Sequence, residues 1–228
     1  MAGSKNSEET KERILLAAEE LFAERGFEGV SLRDITKEAS ANVAAVNYHF
    51  GSKDALIDAL ILRNVMPVIE ERLKLLKEAE KQAEDGIVSV EKILEAFMRP
   101  FLTRMDESGA NRELFHKFSG RCMSERGGQL PSEALQMFRK MLKHFIAALA
   151  KALPEVEEEV LIWRLHFSFG AMAHALLHAS RLKEVSNNKS GSPDFETTLQ
   201  RMIDYCKGGL EAGAGDSVKP TQQNEFLF

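Results

Sequence analysis

Apolar residues recur at helical spacing along nearly the whole chain, and no segment of useful length alternates as a strand does. The run EETKERILLAAEELFAERG, residues 8–26, shows the pattern clearly. Its apolar stripe consists of Ile14, Leu15, Ala18, Leu21 and Phe22. Gly26 follows as a stop signal, and Asn6 or Ser7 stands where an N-cap is expected. Capping residues and prolines divide the remainder into similar runs, so the sequence predicts an all-α fold of about nine helices.

Composition and charge exclude several classes of protein. The sequence has 228 residues, of which 44% are hydrophobic and 29% charged, and its net charge of −5 offers no overall basic field. No apolar run reaches the roughly 18 residues of a membrane span, and the N-terminus lacks the apolar core of a secretion signal. Two cysteines, Cys122 and Cys206, indicate no disulfide framework and fit a reducing compartment. We therefore expect a cytoplasmic protein with no membrane partner.

Helix length changes along the chain. Predicted helices are short and closely spaced up to about Leu56 and longer beyond it, with no flexible linker at the change. We interpret residues 1–55 as a helical head and residues 56–211 as a helical body. The segment 212–228 is expected to be a mobile tail.

Two short segments of the head form a candidate helix-turn-helix. Ser31, with Asp34 as its capping-box partner, opens a helix that ends near Ala39, and Asn42 caps a second helix that ends near Phe50. Val46 lies on the face of this second helix that packs against the first. A plain three-helix cap has the same pattern, and helical propensity alone does not exclude it.

The opposite face of that second helix suits the major groove of DNA. It presents small residues at its N-terminal end, followed by Asn47 and Tyr48, so a backbone can approach base edges closely. Ser52 then caps a further helix with Lys53 in its first turn. A cation is unfavourable at a helix N-terminus, and the mismatch is explained if Lys53 and the free N–H groups bind a phosphate.

Residues 11–56, which include the run ERGFEGVSLRDITKEASANVAAVNYHFGSKDAL, closely resemble the N-terminal domain of the tetracycline-repressor (TetR) family. The resemblance implies an all-α protein with a three-helix helix-turn-helix head and a ligand-binding, dimerising helical body. It also implies a DNA-binding transcriptional regulator, without enzymatic activity or a cofactor, that binds a palindromic operator as a dimer. A small molecule is expected to release the operator.

The resemblance carries roles over by position. The residues that match DNA-contacting positions of the family are Ser31, Arg33, Asn42, Val43, Ala44, Ala45, Asn47, Tyr48, His49 and Lys53. Among these, 42–45 match the base-reading end and Lys53 matches the phosphate lysine. Two departures stand out. Serine occupies position 40, where glycine usually permits a left-handed turn, and asparagine occupies position 47, where a tyrosine is usual.

The body is rich in methionine and aromatic residues on helical faces. For any one of them core packing is the simpler interpretation, but together they suit a cavity that repacks around an apolar effector. The predicted pocket consists of Met98, Phe101, Phe115, Phe118, Cys122, Met137, Met141, Phe145, Trp163, Arg164, His166 and Phe167.

Two short motifs, NYHFGSK and the WRLHF element at residues 163–167, resemble the PsrA-like group of fatty-acid-responsive repressors. That resemblance implies a fatty acid or acyl-CoA effector whose anionic head meets Arg164 and His166. Alternatively, nearby glutamates or a backbone carbonyl satisfy both side chains. His174 and His178 have the spacing of metal ligands, but a polar seam in a dimer interface explains them better, so no metal is predicted.

Small residues in the predicted eighth helix favour close helix approach, and the family resemblance places a homodimer interface on the last two helices. The leading hypothesis is a repressor that a hydrophobic effector releases from its operator. Two alternatives remain open: a family member that activates transcription or binds DNA without an effector, and an all-α enzyme. No nucleophile elbow, HExxH pair or CxxC motif supports the enzyme.

Overall fold

A computed structural model of the chain describes residues 2–106, 110–125, 129–177, 179–191 and 194–213. Within those ranges the chain forms ten helical segments and no strand. They are α1 (Ala2–Arg25), α2 (Leu32–Glu38), α3 (Val43–His49), α4 (Lys53–Gln82), α5 (Val90–Asp106), α6 (Ala110–Glu125), α7 (Ser132–Ala152), α8 (Glu158–Leu177), α9 (Ala179–Val185) and α10 (Phe195–Glu211). The predicted all-α fold is confirmed. Residue 178, between α8 and α9, is not described, and the two segments together cover the single long helix that the sequence predicts there.

Side-chain caps set the starts of most short helices, as their sequences predict. Ser31, Asn42 and Ser52 each accept a hydrogen bond from the backbone N–H three residues on, at the starts of α2, α3 and α4. Asp194 caps α10 in the same way through the N–H of Thr197. Gly26 follows α1 with φ of +76°, and its N–H bonds the carbonyl of Phe22, as a C′ glycine does.

Two expected helix starts are wrong, and one proline does not end its helix. α1 begins at Ala2, before Asn6 and Ser7, so neither residue caps it. The sequence predicts Ser132 as the N-cap of α7, but Pro131, with no side-chain hydrogen bond, takes that position and Ser132 is the first helical residue. The sequence leaves two alternatives for Pro67, an end of the helix or a kink, and α4 continues through it, so the helix does not end there. Local capping preferences alone therefore do not decide these helix ends.

Two buried hydrophobic clusters divide the fold, and both are built on α4. The head cluster combines α1 to α3 with the first turns of α4, where Leu56 and Leu60 are fully buried, and it includes Phe118 of α6. The body cluster combines the second half of α4 with α5, α7, α8 and α10. Val65 packs against both clusters. The head cluster thus extends past residue 55, and the division of the chain into units 1–55 and 56–211 stays a proposal.

The turn between α2 and α3 forms with serine in a left-handed conformation. Ser40 has φ of +48°, and the N–H of Ala41 closes the turn on the carbonyl of Thr36 at 2.9 Å. A left-handed L-residue carries a penalty of roughly 1–2 kcal/mol, which glycine avoids. The strain is held by the packing of α2 and α3 on α1, because Ile35, Ala39 and Val46 are all buried in the head cluster.

Substituting Ser40 by glycine should therefore stabilise the head by about 1 kcal/mol, since it removes the Cβ that the turn strains. Chemical denaturation of the full-length variant measures the change. Ser40→Ala is the matched control, because it keeps the Cβ and should give no gain. Equal stabilisation by both substitutions would show that the hydroxyl, and not the backbone conformation, carries the penalty.

Candidate functional site

The outward face of α3 is small at its start and polar beyond it. Val46 is fully buried against the head cluster, whereas Asn42, Val43, Ala44, Asn47 and Tyr48 are exposed. Tyr48 is 81% exposed, and the ring contact recorded for it is edge-on to its neighbour His49, at 5.0 Å between centroids. A large aromatic phenol with so little packing has little to do in folding, so this face is a candidate binding surface.

Two further predicted DNA contacts are exposed, and three are less accessible. Ser31 and Arg33 are exposed at the start of α2. Ala45, His49 and Lys53 are half-buried. Lys53 is the first residue of α4, directly after the cap Ser52. We call these residues, together with the outward face of α3, the head surface.

Capping bonds engage part of this predicted set. Asn42 Oδ1 accepts the N–H of Ala45 at 2.8 Å, which leaves the side-chain amide N–H groups of Asn42 for another acceptor. Ser31 and Asp34 form a capping box, in which the Ser31 N–H donates to Asp34 Oδ2 at 2.9 Å. The Ser31 hydroxyl also donates to this carboxylate, and these bonds lower the pKa of Asp34. Caps thus orient α2 and α3 before any ligand binds.

The head is net acidic, because residues 1–55 hold seven Lys/Arg and ten Asp/Glu. Two of these acids face α4 and not the head surface. Glu12 pairs with Arg63 at 2.7 Å, and the buried Glu19 accepts a hydrogen bond from Asn64 at 2.8 Å. The basic residues Arg33, Lys37 and Lys53 lie on α2 and at the start of α4. An anionic partner is therefore attracted by few local cations.

The C-terminal end of α6 clamps the C-terminal end of α1. Arg121 donates to the carbonyls of Ala23 and Glu24 at 3.4 and 3.1 Å, and it pairs with Glu125 at 2.9 Å. Glu125 in turn accepts the N–H of Phe27 at 2.7 Å. These bonds satisfy backbone groups that the end of α1 leaves open. The contact between α1 and α6 ties a helix of the body to the head.

Two predicted pocket residues belong to this contact instead of a cavity in the body. Phe118 is buried in the head cluster and packs edge-on against Phe27, with 5.9 Å between ring centroids. Cys122 is half-buried against the same cluster. The sequence places both on an apolar face of α6, but it does not show which domain that face meets.

The other predicted pocket residues divide between the body cluster and the surface. Met98, Met141 and Phe145 are fully buried in the cluster, and Phe101 and Met137 pack against it. Phe115 is buried edge-on to Phe101. Phe167 is 62% exposed. Arg164 Nη1 donates to the carbonyl of Leu210 at 2.8 Å. Of the partners considered for Arg164, the structure thus shows a backbone carbonyl.

A cleft of about 450 Å³ opens beside the body cluster. Its lining residues come from α5, α7 and α8: Phe97, Phe138, Leu142, Ile162, Trp163, Leu165, His166 and Phe169. Trp163 and His166 are the two members of the predicted pocket that line it. The prediction left out Leu142, Ile162 and Leu165, because aliphatic side chains at helical spacing look the same in a core and in a cleft wall. The volume lies within the usual range for small-molecule sites.

No site for a metal ion is evident in the part of the chain that the structure describes, where no three His, Cys, Asp or Glu side chains cluster. His178 lies outside that part, so its pairing with His174 stays a sequence expectation. No described helix combines the length and apolar character needed to cross a membrane.

Comparison with known families matches both parts of the chain. Residues 14–60 match the family described as "Bacterial regulatory proteins, tetR family", and residues 95–209 match "Tetracyclin repressor-like, C-terminal domain". The chain is 44% identical over 55 residues to the HTH-type transcriptional regulator UidR of Escherichia coli K12. It is 46% identical over 54 residues to the HTH-type transcriptional repressor Rv3405c of Mycobacterium tuberculosis. These matches cover 24% of this chain and 28% and 29% of the relatives, under a third of their lengths.

Solved structures resemble the whole fold. NalD, described as the secondary repressor of the MexAB-OprM multidrug efflux pump in Pseudomonas aeruginosa, aligns with a TM-score of 0.61 and 18% identity. That alignment covers 89% of this chain and 97% of NalD. A transcriptional regulator from Aquifex aeolicus aligns with a TM-score of 0.53 and 22% identity, over 87% of this chain and 98% of that one. At such identities the likeness shows the fold alone.

The clamp between α1 and α6 is open to a direct test. Glu125→Ala should remove the acceptor of the Phe27 N–H and speed hydrogen exchange of that amide, at a cost of about 1 kcal/mol in stability. Glu125→Gln is the matched control, because its amide oxygen still accepts the bond. Hydrogen exchange read by NMR measures both variants. Unchanged protection of Phe27 in Glu125→Ala would show that the clamp does not hold the end of α1.

Proposed function

Because the chain belongs to the TetR family of bacterial regulatory proteins, we propose that it is a dimeric transcriptional repressor with a hydrophobic effector. It binds a palindromic operator through α3 and leaves the operator when the effector enters the body. The exposed face of α3, next to Lys53, is the observation that carries the proposal. Family membership decides against the enzyme alternative. A regulator acts where the chromosome lies, so the cytoplasmic location expected from the sequence is part of the proposal.

Recognition of the operator's base sequence is assigned to the first turns of α3. Val43 and Ala44 are exposed there and short, so the helix can enter a major groove about 12 Å wide without a steric barrier. Asn47 and Tyr48, one turn further, present an amide and a phenol toward the same side. The proposed role of Asn47 is a bidentate or single hydrogen bond to a base edge. Tyr48 and His49 are assigned to the backbone and outer bases.

Contact with the phosphate backbone of the operator is assigned to the start of α4. Lys53 occupies its first turn, where the helix dipole disfavours a cation and favours a bound anion. A phosphate there would meet both the ammonium group and the first N–H groups of a 30-residue helix. Ser31 and Arg33, which are exposed at the start of α2, are assigned to a neighbouring phosphate. The net acidity of the head implies modest affinity for non-specific DNA.

An exposed apolar stripe supports a dimer through the last helices. On α8 the exposed residues Trp163 and Phe167 lie one turn apart, and Gly170 follows with open space beside it. On α10, which packs against α8, Tyr205 is 75% exposed. Burial of this stripe against a second copy gives a two-fold dimer. Two recognition helices are required because half-sites repeat about 34–36 Å apart.

The release of the operator by the effector is assigned to α4 and α6. α4 runs without interruption from Lys53 at the head surface to Gln82 in the body, and α6 is clamped to α1. A ligand that separates α5, α7 and α8 at the cleft shifts the second half of α4, which packs on α5 and α7. The movement changes the separation of the two α3 helices. Such coupling is reciprocal and typically amounts to about 1–3 kcal/mol.

The repressor role is supported by the names of Rv3405c and NalD, both described as repressors. A fatty acid or acyl-CoA is the effector class that the PsrA-like motifs suggest, and the apolar lining of the cleft is compatible with it. An activating or effector-independent regulator is the alternative. An unchanged operator complex in the presence of every ligand that fills the cleft would favour that alternative.

The function is tested by selecting binding duplexes from a random DNA library and measuring anisotropy on the best duplex and a scrambled one. Native mass spectrometry gives the dimer mass and any co-purified lipid. Medium- and long-chain fatty acids, their CoA thioesters and a cationic aromatic dye are then titrated against the complex. Absence of sequence preference would overturn the proposal. Release by the dye alone would support a ligand-released repressor but would contradict a fatty acid or acyl-CoA as its effector.

Two substitutions on the head surface should give opposite patterns of DNA affinity. Asn47→Ala should cost about 1–3 kcal/mol on the selected duplex and relax preference at one position per half-site. Lys53→Ala should weaken all duplexes alike and lower the log–log salt slope by about 0.9 per protomer. Anisotropy across a salt series measures both. A uniform loss for Asn47→Ala would assign it to the backbone, and a sequence-dependent loss for Lys53→Ala would assign that lysine to a base.

Phe167→Arg should convert the dimer to monomer, because it places a charge in the centre of the exposed stripe on α8. Sedimentation velocity should show the smaller species, and affinity for the selected duplex should fall with it. Ile87→Arg is the matched control, since Ile87 is an exposed apolar residue outside α8 and α10. A Phe167→Arg protein that stays dimeric would move the interface elsewhere.

A further inference from the structure

A buried arginine without an acidic partner lies in the body, next to the cleft. Arg72 of α4 is 3% exposed. Burial lowers its pKa to about 9, and no charged neighbour offsets that effect. Within the described residues no carboxylate pairs with it. A guanidinium buried without an anion is unfavourable, because attraction to an opposite charge is what normally offsets lost hydration.

The hydrogen bonds of Arg72 leave one edge of the guanidinium open. Nε donates to the carbonyl of Phe97 at 2.6 Å. Nη1 has only a long contact, 3.9 Å, with the thioether sulfur of Met141. Nη2 is buried and has no partner among the described residues. The two terminal nitrogens form the fork that binds both oxygens of a carboxylate, so the free edge has the geometry of an anion site.

The cleft reaches this fork through one side chain. Phe97 lines the cleft, and its ring lies under the guanidinium, 4.1 Å from Cζ to the ring centroid. Phe138 and Leu142 of the cleft wall flank Met141 on α7. The proposed route from the cleft to Arg72 is a shift of Met141, which contacts Nη1 and is unbranched and flexible. The remaining lining is apolar except for His166.

From this juxtaposition we infer that the effector carries a carboxylate, or a comparably small anionic group, that pairs with Arg72 while its apolar part fills the cleft. The inference rests on the proposed function and names the ligand chemistry of that site. It moves the head group from Arg164, whose guanidinium bonds Leu210, to an arginine on α4. Because α4 also carries Lys53, an anion at Arg72 acts directly on the helix that joins body and head.

The test compares matched acids and alcohols. The probes are dodecanoate with dodecanol, and para-butylbenzoate with para-butylbenzyl alcohol, so that alkyl and aromatic bodies are distinguished. Trp163 is the single tryptophan of the chain and lines the cleft, and its fluorescence therefore reports binding there. In wild-type protein we expect at least one acid to bind roughly 10- to 100-fold more tightly than its alcohol, the value of a charged hydrogen bond.

Arg72→Met keeps the length and packing of the side chain and removes its charge. It should abolish the preference for the acid, leave the affinity for the alcohol unchanged and raise the melting temperature of the ligand-free protein. Arg164→Met is the matched control and should keep the preference. If Arg72→Met does not fold, Arg72→Lys decides, because a point charge without the fork should reduce the preference several-fold.

The inference is overturned if acids and alcohols bind wild type equally, or if the preference survives in Arg72→Met or is undiminished in Arg72→Lys. Loss of the preference in Arg164→Met would likewise place the anion elsewhere. The same probes are added to the operator complex as a separate readout. An acid that binds through Arg72 without releasing DNA sustains this inference and contradicts the proposed release. Release by the alcohols alone would sustain the proposed release and contradict the pairing of an anion with Arg72.

Discussion

Both hydrophobic cores of this protein are built on one uninterrupted helix. The first turns of α4 bury Leu56 and Leu60 in the head, and its second half buries Ile69 and Leu76 in the body. Neither cluster can form its full contacts unless this helix is in place, and a shift of the helix is felt in both. The clamp of α6 on α1 adds a second connection. In the proposed mechanism, these two connections are the physical route between the effector cleft and the DNA-binding surface.

Buried polar groups on α4 serve different purposes in the two halves. In the head, Asn64 donates to Glu19 of α1 and to the carbonyl of Leu60, so its side-chain amide is satisfied within the protein. In the body, Arg72 has one nitrogen without a partner. A satisfied polar pair fixes how two helices dock, whereas an unsatisfied charge leaves free energy available for a ligand. This difference is why the anionic group of the effector is assigned to Arg72 in the body.

Much of the head was predictable because its information is local. Caps at Ser31, Asn42 and Ser52 act within three residues, and the helical period identifies Val46 as inward and Asn47 as outward. The body was less predictable. Phe118 and Trp163 both lie on apolar helical faces, yet one is buried in the head cluster and the other lines the cleft. Arg72 occurs at helical spacing from Ile69 and Leu76, and this spacing is a signal of burial.

The sequence by itself determined the helical class, most helix starts and the outward face of α3, since capping and periodicity depend on neighbours within a few residues. It also carried the family resemblance of residues 11–56. Only the tertiary structure decided that α6 docks on the head, that Arg164 bonds Leu210, and that Arg72 is buried without an acid. Those facts depend on which helices meet, and apolar faces of similar composition do not specify their partners until long-range packing selects among them.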